Sequence, residues 1–419
     1  MIKLIEKVEG EATLDIKFKD EKIEFVDIKF LDSRGIENIL KNRPALDSLV
    51  INPRVCGICG HAHLIATAKA LEDCLDEFEL PQNAKILREL TLNFEIIQNH
   101  FKWFYLTLLP LFGYRQYVLK ATAPSQTIAK AIATIAGQYP HTSYAIPGGV
   151  TNEITNIDIT KTKALINEVL SFFEKEVVVT DTKELIECEN VLNLLEKKGD
   201  LPTLLNLIIK NEWQSLGKSY DRFIVFGKNS YFQAGKSLKT RVTKSIKPNF
   251  VKEELNQNSK AKNVTYKSNY YEVGPLSRAM LNKTRLIKDS HRRFADSIFS
   301  RIVARVCEIP QLLHHSLELL NQIDINKEFY KEPKEDISKI TSHGVGLVEA
   351  ARGSLIHKVE LENGVIKNYE IITPTQWNLS NGTPKNLGVA QKAMVRLESV
   401  EMAEIVFKTF DICSVCTTQ

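Results

Sequence analysis

A mostly helical α+β fold, with a central bundle of long helices and small β-hairpins near both ends of the chain, is what this sequence predicts. Three observations carry that reading. Residues 84–109 place Ile86, Leu90, Phe94, Ile97, Phe101, Phe104 and Leu108 three or four apart, the spacing of a long, heavily buried helix. Residues 12–30 alternate apolar and polar in two runs, a β-hairpin pattern. Residues 353–372 alternate again around Asn363-Gly364, a type I′ turn signal. The chain reads as a single domain over 1–419: an N-terminal hairpin and cysteine motif in 1–63, a helical body in 84–330, and a hairpin, last helix and second cysteine motif in 340–419.

In order, Leu14, Ile16 and Phe18 alternate with polar residues, Asp20-Glu21 breaks the run, and Ile23, Phe25, Ile28 and Phe30 follow. Lys7-Val8-Glu9-Gly10 precedes this hairpin. Ser33-Arg34-Gly35-Ile36-Glu37 follows it and leads into a short helical stretch to about Leu49. On residues alone, Glu9 and Glu37 read as two solvated surface carboxylates. Pro110 and Gly113 end the long helix, a second helix runs over 122–137 to Gly137, and 139–150 is a loop with two prolines and two glycines. Helices are expected over 160–176 and 183–197. The Lys- and Asn-rich stretch 235–270 reads as a surface excursion. A helical region covers 276–324 with an interruption near Pro310, and its His291, Arg292, Arg293 and Arg301 read as solvated or ion-paired. After the second hairpin, 374–378 reads as a loop, and a last helix over 384–407 delivers the chain to Asp411 and the terminal cysteines.

Size and charge narrow the function classes. A chain of 419 residues, 43% hydrophobic and 25% charged, has the balance of an ordinary globular protein with a large core. Its 55 basic and 51 acidic residues are too even for a nucleic-acid partner. No window approaches about 18 uninterrupted apolar residues, so no transmembrane segment is expected. Residues 1–7 lack the apolar run of a signal peptide. Seven cysteines, an odd number, fit a reducing, cytoplasmic setting, and Cys74, Cys188 and Cys307 read as buried small hydrophobes.

The chemistry lies in two Cys-x-x-Cys pairs at opposite ends of the chain, Cys56-Gly57-Ile58-Cys59 and Cys413-Ser414-Val415-Cys416. Such a turn points both sulfurs the same way, so two pairs can offer four thiolates to one metal or cluster. Structural zinc is the commonest use of two pairs, although zinc ribbons hold theirs about 15–20 residues apart. On spacing alone, structural zinc, a redox metal centre and unrelated cysteines all stay open.

The flanking residues narrow that choice. Arg54-Val55-Cys56-Gly57-Ile58-Cys59-Gly60-His61-Ala62-His63 and Asp411-Ile412-Cys413-Ser414-Val415-Cys416 resemble the first and last metal motifs of the large, catalytic subunit of nickel–iron hydrogenases. Lys7-Val8-Glu9-Gly10, Arg34-Gly35-Ile36-Glu37, Pro140-His141, Pro147-Gly148-Gly149 and Val273-Gly274-Pro275-Leu276-Ser277-Arg278 are similar to its further signatures. So are Glu349-Ala350-Ala351-Arg352-Gly353, Asn363-Gly364 and Pro374-Thr375-Gln376-Trp377-Asn378, in the same order. The resemblance spans positions 7 to 416, and it makes zinc the weaker reading.

The resemblance implies the hydrogenase large-subunit fold and heterolytic cleavage of dihydrogen. Cys56, Cys59, Cys413 and Cys416 would bind nickel, with Cys59 and Cys416 bridging to an iron that carries carbonyl and cyanide ligands. Arg352 and Thr375 would donate to the cyanides, and His63 would hydrogen-bond a bridging sulfur. Cys413 and then Glu9 would carry the proton away. Glu37 and Gln419 would share a magnesium ion. An iron–sulfur small subunit would take the electrons, and maturation proteins would insert the metals. Lys7, Glu11, Asn99, Ala351, Ile412 and Gln419 depart from the family's usual residues without removing a metal ligand. Those departures place the chain nearer the cytosolic uptake and hydrogen-sensing branch, where a signalling kinase is a partner.

Overall fold

The computed structural model describes residues 2–5, 12–31, 33–76, 78–115, 117–256 and 259–413. The long helix runs Gln82–Lys102, extends through a π turn at Trp103–Leu108 and a 3-10 turn at Leu109–Phe112, and ends at Gly113 in a left-handed conformation. Ile86, Leu90, Phe94, Ile97, Phe101, Phe104 and Leu108 are all buried, as their spacing predicts. This helix packs against Val118–Ala136 and Ile298–Asn321, and Asn156–Phe172 completes the bundle.

Several boundaries differ from the expected ones, each for a local reason. The helix expected over 183–197 is a helix at Thr182–Glu187 followed by a 3-10 turn at Val191–Glu196; Asn190 caps the second piece with its side chain. The region 276–324 is three helices, Pro275–Asn282, Arg285–Phe294 and Ile298–Asn321. Its breaks fall at Lys283 and Ala295, both at positive φ, and Pro310 lies within the third helix. The expected loop at 374–378 is a helical turn, Pro374–Asn378, closed by a capping box between Thr373 and Gln376. The last helix is two, Val389–Met394 and Val400–Thr409, the second capped by Ser399. The stretch 235–270 is no mere excursion. Gly235–Leu238 and Arg241–Thr243 join Arg222–Val225 in a sheet, while Val251–Glu254 pairs with Asn263–Tyr266 and buries Val251, Val264 and Tyr266. Arg301 is buried on Glu272, with Nε 2.8 Å from Oε1, which makes it a structural ion pair.

Both hairpins gain a third strand. Ile2–Ile5 pairs with Ala12–Lys19, which pairs with Lys22–Phe30. Ser342–Ala350 pairs with Gly353–Glu362, which pairs with Val365–Ile372 across Asn363 and Gly364, both at positive φ as a type I′ turn requires. The helix Gly60–Glu72, which follows the first cysteine pair, lies directly on Ser342–Ala350. Two glycines make that approach possible. A Cβ at Gly344 would sit 2.0 Å from the Ala70 carbonyl oxygen, and one at Gly346 1.9 Å from that of Ala66. Neither contact can be relieved by moving a side chain. A Gly346→Val variant is therefore expected to lose about 3 kcal/mol or more, read as an earlier midpoint in denaturant unfolding. An unchanged midpoint would mean the helix rests less tightly than this contact demands.

Candidate metal centre

Cys56 is extended and follows a 3-10 turn at Asn52–Val55, while Cys59 is the N-cap of Gly60–Glu72. The Cys59 amide donates to the Cys56 sulfur at 3.4 Å, so the turn presents both sulfurs together. Gly60 must be glycine here, because a Cβ would meet the Pro53 carbonyl oxygen at 2.2 Å. From the other end of the chain, Asp411 adopts φ 56° and turns the backbone inward, bringing Cys413 Sγ to 3.5 Å from Cys56 Sγ. The sulfurs of Cys56, Cys59 and Cys413 lie within 4.8 Å of one another, all buried. Among the described residues this is the single cluster of metal-ligating side chains. Cys416, Glu9 and Gln419, all expected in the site, lie outside the described residues.

Next to Cys59 is a small chamber lined by Ala62, His63, Leu355, Arg352, Pro374 and Thr375. Besides Cys59 and the His63 imidazole, its mostly apolar walls carry two donors, Thr375 and Arg352. Thr375 Oγ1 is buried without a hydrogen-bond partner among the described residues. Arg352 is anchored from behind, its Nε donating to the Asp411 carbonyl at 3.0 Å. Asp411 is itself held by Asn99 Nδ2 at 2.7 Å and an Arg305 guanidinium nitrogen at 2.9 Å. Soft thiolates on one side, and a hydroxyl and a guanidinium facing an apolar chamber on the other, fit a sulfur-loving metal carrying small anionic groups.

A family model described as nickel-dependent hydrogenase matches residues 34–111 and 225–418, more than half of the chain. The chain belongs to the nickel-dependent hydrogenase family. It is 25% identical to the alpha chain of the coenzyme F420 hydrogenase of Methanothermobacter thermautotrophicus, over 98% of this chain and 92% of that one. It is 27% identical to the periplasmic [NiFeSe] hydrogenase large subunit of Desulfomicrobium baculatum, over 89% and 84%. Its fold matches the Ni-Fe-Se hydrogenase of D. vulgaris Hildenborough with a TM-score of 0.84 at 20% identity, covering 100% of both chains. The hydrogenase large-subunit fold expected from the sequence is the fold observed.

Around this hydrogenase centre lies a second ring of buried polar groups. His63 Nδ1 is 3.0 Å from His357 Nε2, and His357 Nδ1 is 2.9 Å from the Tyr369 hydroxyl, so one hydrogen-bonded chain fixes both imidazoles. Burial pushes His63 down to about 4, which keeps its ring neutral. Glu95, on the buried face of the long helix, accepts from the backbone amides of His61 at 2.8 Å and Ala62 at 3.0 Å. Its carboxylate thus caps the first turn of the helix that begins at Gly60. Burial pushes Glu95 up to about 8, against those two backbone bonds.

The surface reading of Glu37 is overturned. It is buried, accepting the Ile371 amide at 2.9 Å and pairing with Lys262 at 2.7 Å. Glu253, 3.7 Å from the same ammonium, is pushed up to about 7 by burial. The sequence reading missed Glu95, His357 and Arg305 as parts of this site. The one available signal was a carboxylate flanked in sequence by Phe94 and Ile96, in the middle of the long apolar-periodic helix.

Proposed function

We propose that this hydrogenase splits dihydrogen heterolytically at a nickel–iron centre held by Cys56, Cys59, Cys413 and Cys416. The observation that carries the reading is the convergence of three buried sulfurs beside a chamber faced by Arg352 and Thr375. When bound, the centre would supply the redox-active metals that polarise and split dihydrogen, with carbonyl and cyanide on the iron. Arg352 and Thr375 would hold the cyanides by donating to them. Cys413 would take the proton on its sulfur and Glu9 would carry it onward. His63 would tune one of the ligating sulfurs through a single hydrogen bond.

Electrons leave through an iron–sulfur small subunit. The face for it is the segment that leads into Cys56, where Ile39, Leu46 and Val50 are exposed apolar side chains. A magnesium ion belongs to the proposal as well, held by Glu37 and Gln419 with Glu253 and Lys262 close by. Maturation proteins load the metals. No helix of the described residues is long and apolar enough to cross a membrane, and a cytoplasmic location is part of the same reading.

Metal analysis and infrared spectroscopy of protein matured in a competent host test the centre. Nickel and iron in equal amounts, with carbonyl and cyanide bands, are expected. Zinc without those bands would sink the proposal. A Glu9→Gln variant should slow hydrogen–deuterium exchange about a hundredfold and leave para- to ortho-hydrogen conversion in place; undiminished exchange would remove Glu9 from the route. The second reading is a hydrogen sensor of low turnover that signals to a kinase. Two departures favour it: Ala351, adjacent to Arg352, and Asn99, bonded to the Asp411 that anchors Arg352. Rapid turnover with an artificial electron acceptor would decide for the enzyme that oxidises hydrogen for uptake.

A further inference from the structure

Nickel has to reach a site that this fold buries, and the two sides of that site treat a bare dication differently. On the Cys59 side the chamber carries the Arg352 guanidinium, whose charge repels one. On the Cys56 side a second small chamber runs out to the exposed His141 and is also lined by His61, Glu95 and Tyr139. About 10 Å³ of it is open to the centre of a water-sized sphere, room for one water or one small ion. Two independent features mark it as a path for a metal. The first is His61, only 4% exposed, whose Nδ1 and Nε2 both lack a hydrogen-bond partner among the described residues. Its ring stacks on Tyr144 with centroids 5.5 Å apart, which holds it in place and serves neither nitrogen. An imidazole buried in that way is costly unless something small comes to bond it. The second is order. An exposed imidazole, a buried imidazole and a buried sulfur line one chamber, and imidazole is a ready ligand for nickel.

We propose that this chamber is the nickel-loading port of the metal centre, with His141 as the ligand at its mouth and His61 as the ligand inside. The proposal rests on the hydrogenase reading above and adds the last leg of the loading that the maturation proteins begin. His141 takes the ion from its carrier, His61 takes it from His141, and Cys56 lies on the wall beyond. Each transfer breaks one nickel–nitrogen bond and forms another, or trades one for a bound water. Nickel stays divalent, and no proton or electron moves between the histidines. One or two imidazoles hold nickel loosely, while a closed set of sulfurs surrounds it, so the ion is drawn inward.

Nickel content of the full chain, matured in a competent host at limiting and at excess nickel, tests the port without any turnover assay. Two variants remove the nitrogens and spare the fold. His61→Phe keeps a ring to stack on Tyr144. His141→Asn suits the left-handed backbone at that position, φ 58°, and its amide is a poor ligand for nickel. At limiting nickel each variant should hold less nickel than the wild type by about tenfold or more, and excess nickel should restore it. Carbonyl and cyanide bands should persist throughout, since the side of the site with Cys59, Arg352 and Thr375 is untouched. Either variant filling like the wild type at limiting nickel would overturn the port. A deficit that excess nickel does not repair would make the histidine structural and overturn it equally. Wild-type protein without nickel or without those bands would instead fail the hydrogenase reading on which the port rests.

Discussion

An Arg352→Lys variant should lose dihydrogen cleavage by about a hundredfold or more, a barrier rise of about 2.7 kcal/mol, while keeping nickel, iron and its fold. Arg352 performs two tasks with one rigid fork. Its Nε holds the Asp411 carbonyl at 3.0 Å and lies 3.4 Å from the Asp411 carboxylate. The far end of the guanidinium then reaches the chamber that Cys59 and Thr375 also line. A lysine carries one nitrogen on a flexible stem. It can keep the Asp411 anchor or reach the chamber, and cannot do both. Charge is conserved in this exchange, so a large loss would be a loss of geometry. The measurement is para- to ortho-hydrogen conversion, which needs cleavage alone, beside an infrared check that the metal ligands are intact. Full conversion in the lysine variant would reduce Arg352 to a source of positive charge.

The anchor behind Arg352 also shows what the sequence could and could not announce. Cys56, Cys59, Cys413 and Arg352 sit in short motifs whose residue types carry their chemistry, so they were legible. The long helix was legible because its apolar positions repeat. Arg305 was not, since its role depends on Asp411, 106 positions away, approaching from the last turn of the chain. Glu37 read as a surface carboxylate for a similar reason: its partner Lys262 is 225 positions distant. Glu95 was hidden by the pattern itself, because periodicity counts apolar positions and treats a lone acid as solvent-facing. Ser342–Ala350 escaped notice because Gly344 and Gly346 argue against a strand interior. Those same glycines let the helix Gly60–Glu72 lie close enough to bring Cys59 beside Arg352. The helix breaks at Lys283 and Ala295 leave no trace in composition, as a non-glycine residue at positive φ is selected by its surroundings.

A Cys413→Ala variant should lose nickel altogether, and with it every turnover signal, at little cost to the fold. Cys413 is buried with its sulfur 3.5 Å from that of Cys56, so its removal opens one corner of a closed sulfur site. A methyl group cannot ligate a metal, so the variant leaves the sulfur set one ligand short. The loss of one buried sulfur costs about 1 kcal/mol of packing, which the large core absorbs. Cys307→Ala is the matched control. Cys307 is equally buried, its thiol pushed up to about 12 by that burial, and it stands apart from the sulfur cluster. The two variants should therefore unfold at similar temperatures and differ completely in nickel content. Equal nickel in both would mean that the three converging sulfurs are a packing arrangement. Nickel lost from Cys413→Ala alone would tie the last turn of the chain to the first cysteine pair as one ligand set. Because Asp411 lies only two positions before Cys413 and carries the carbonyl that anchors Arg352, closing the metal site and aiming the guanidinium are then the same folding event.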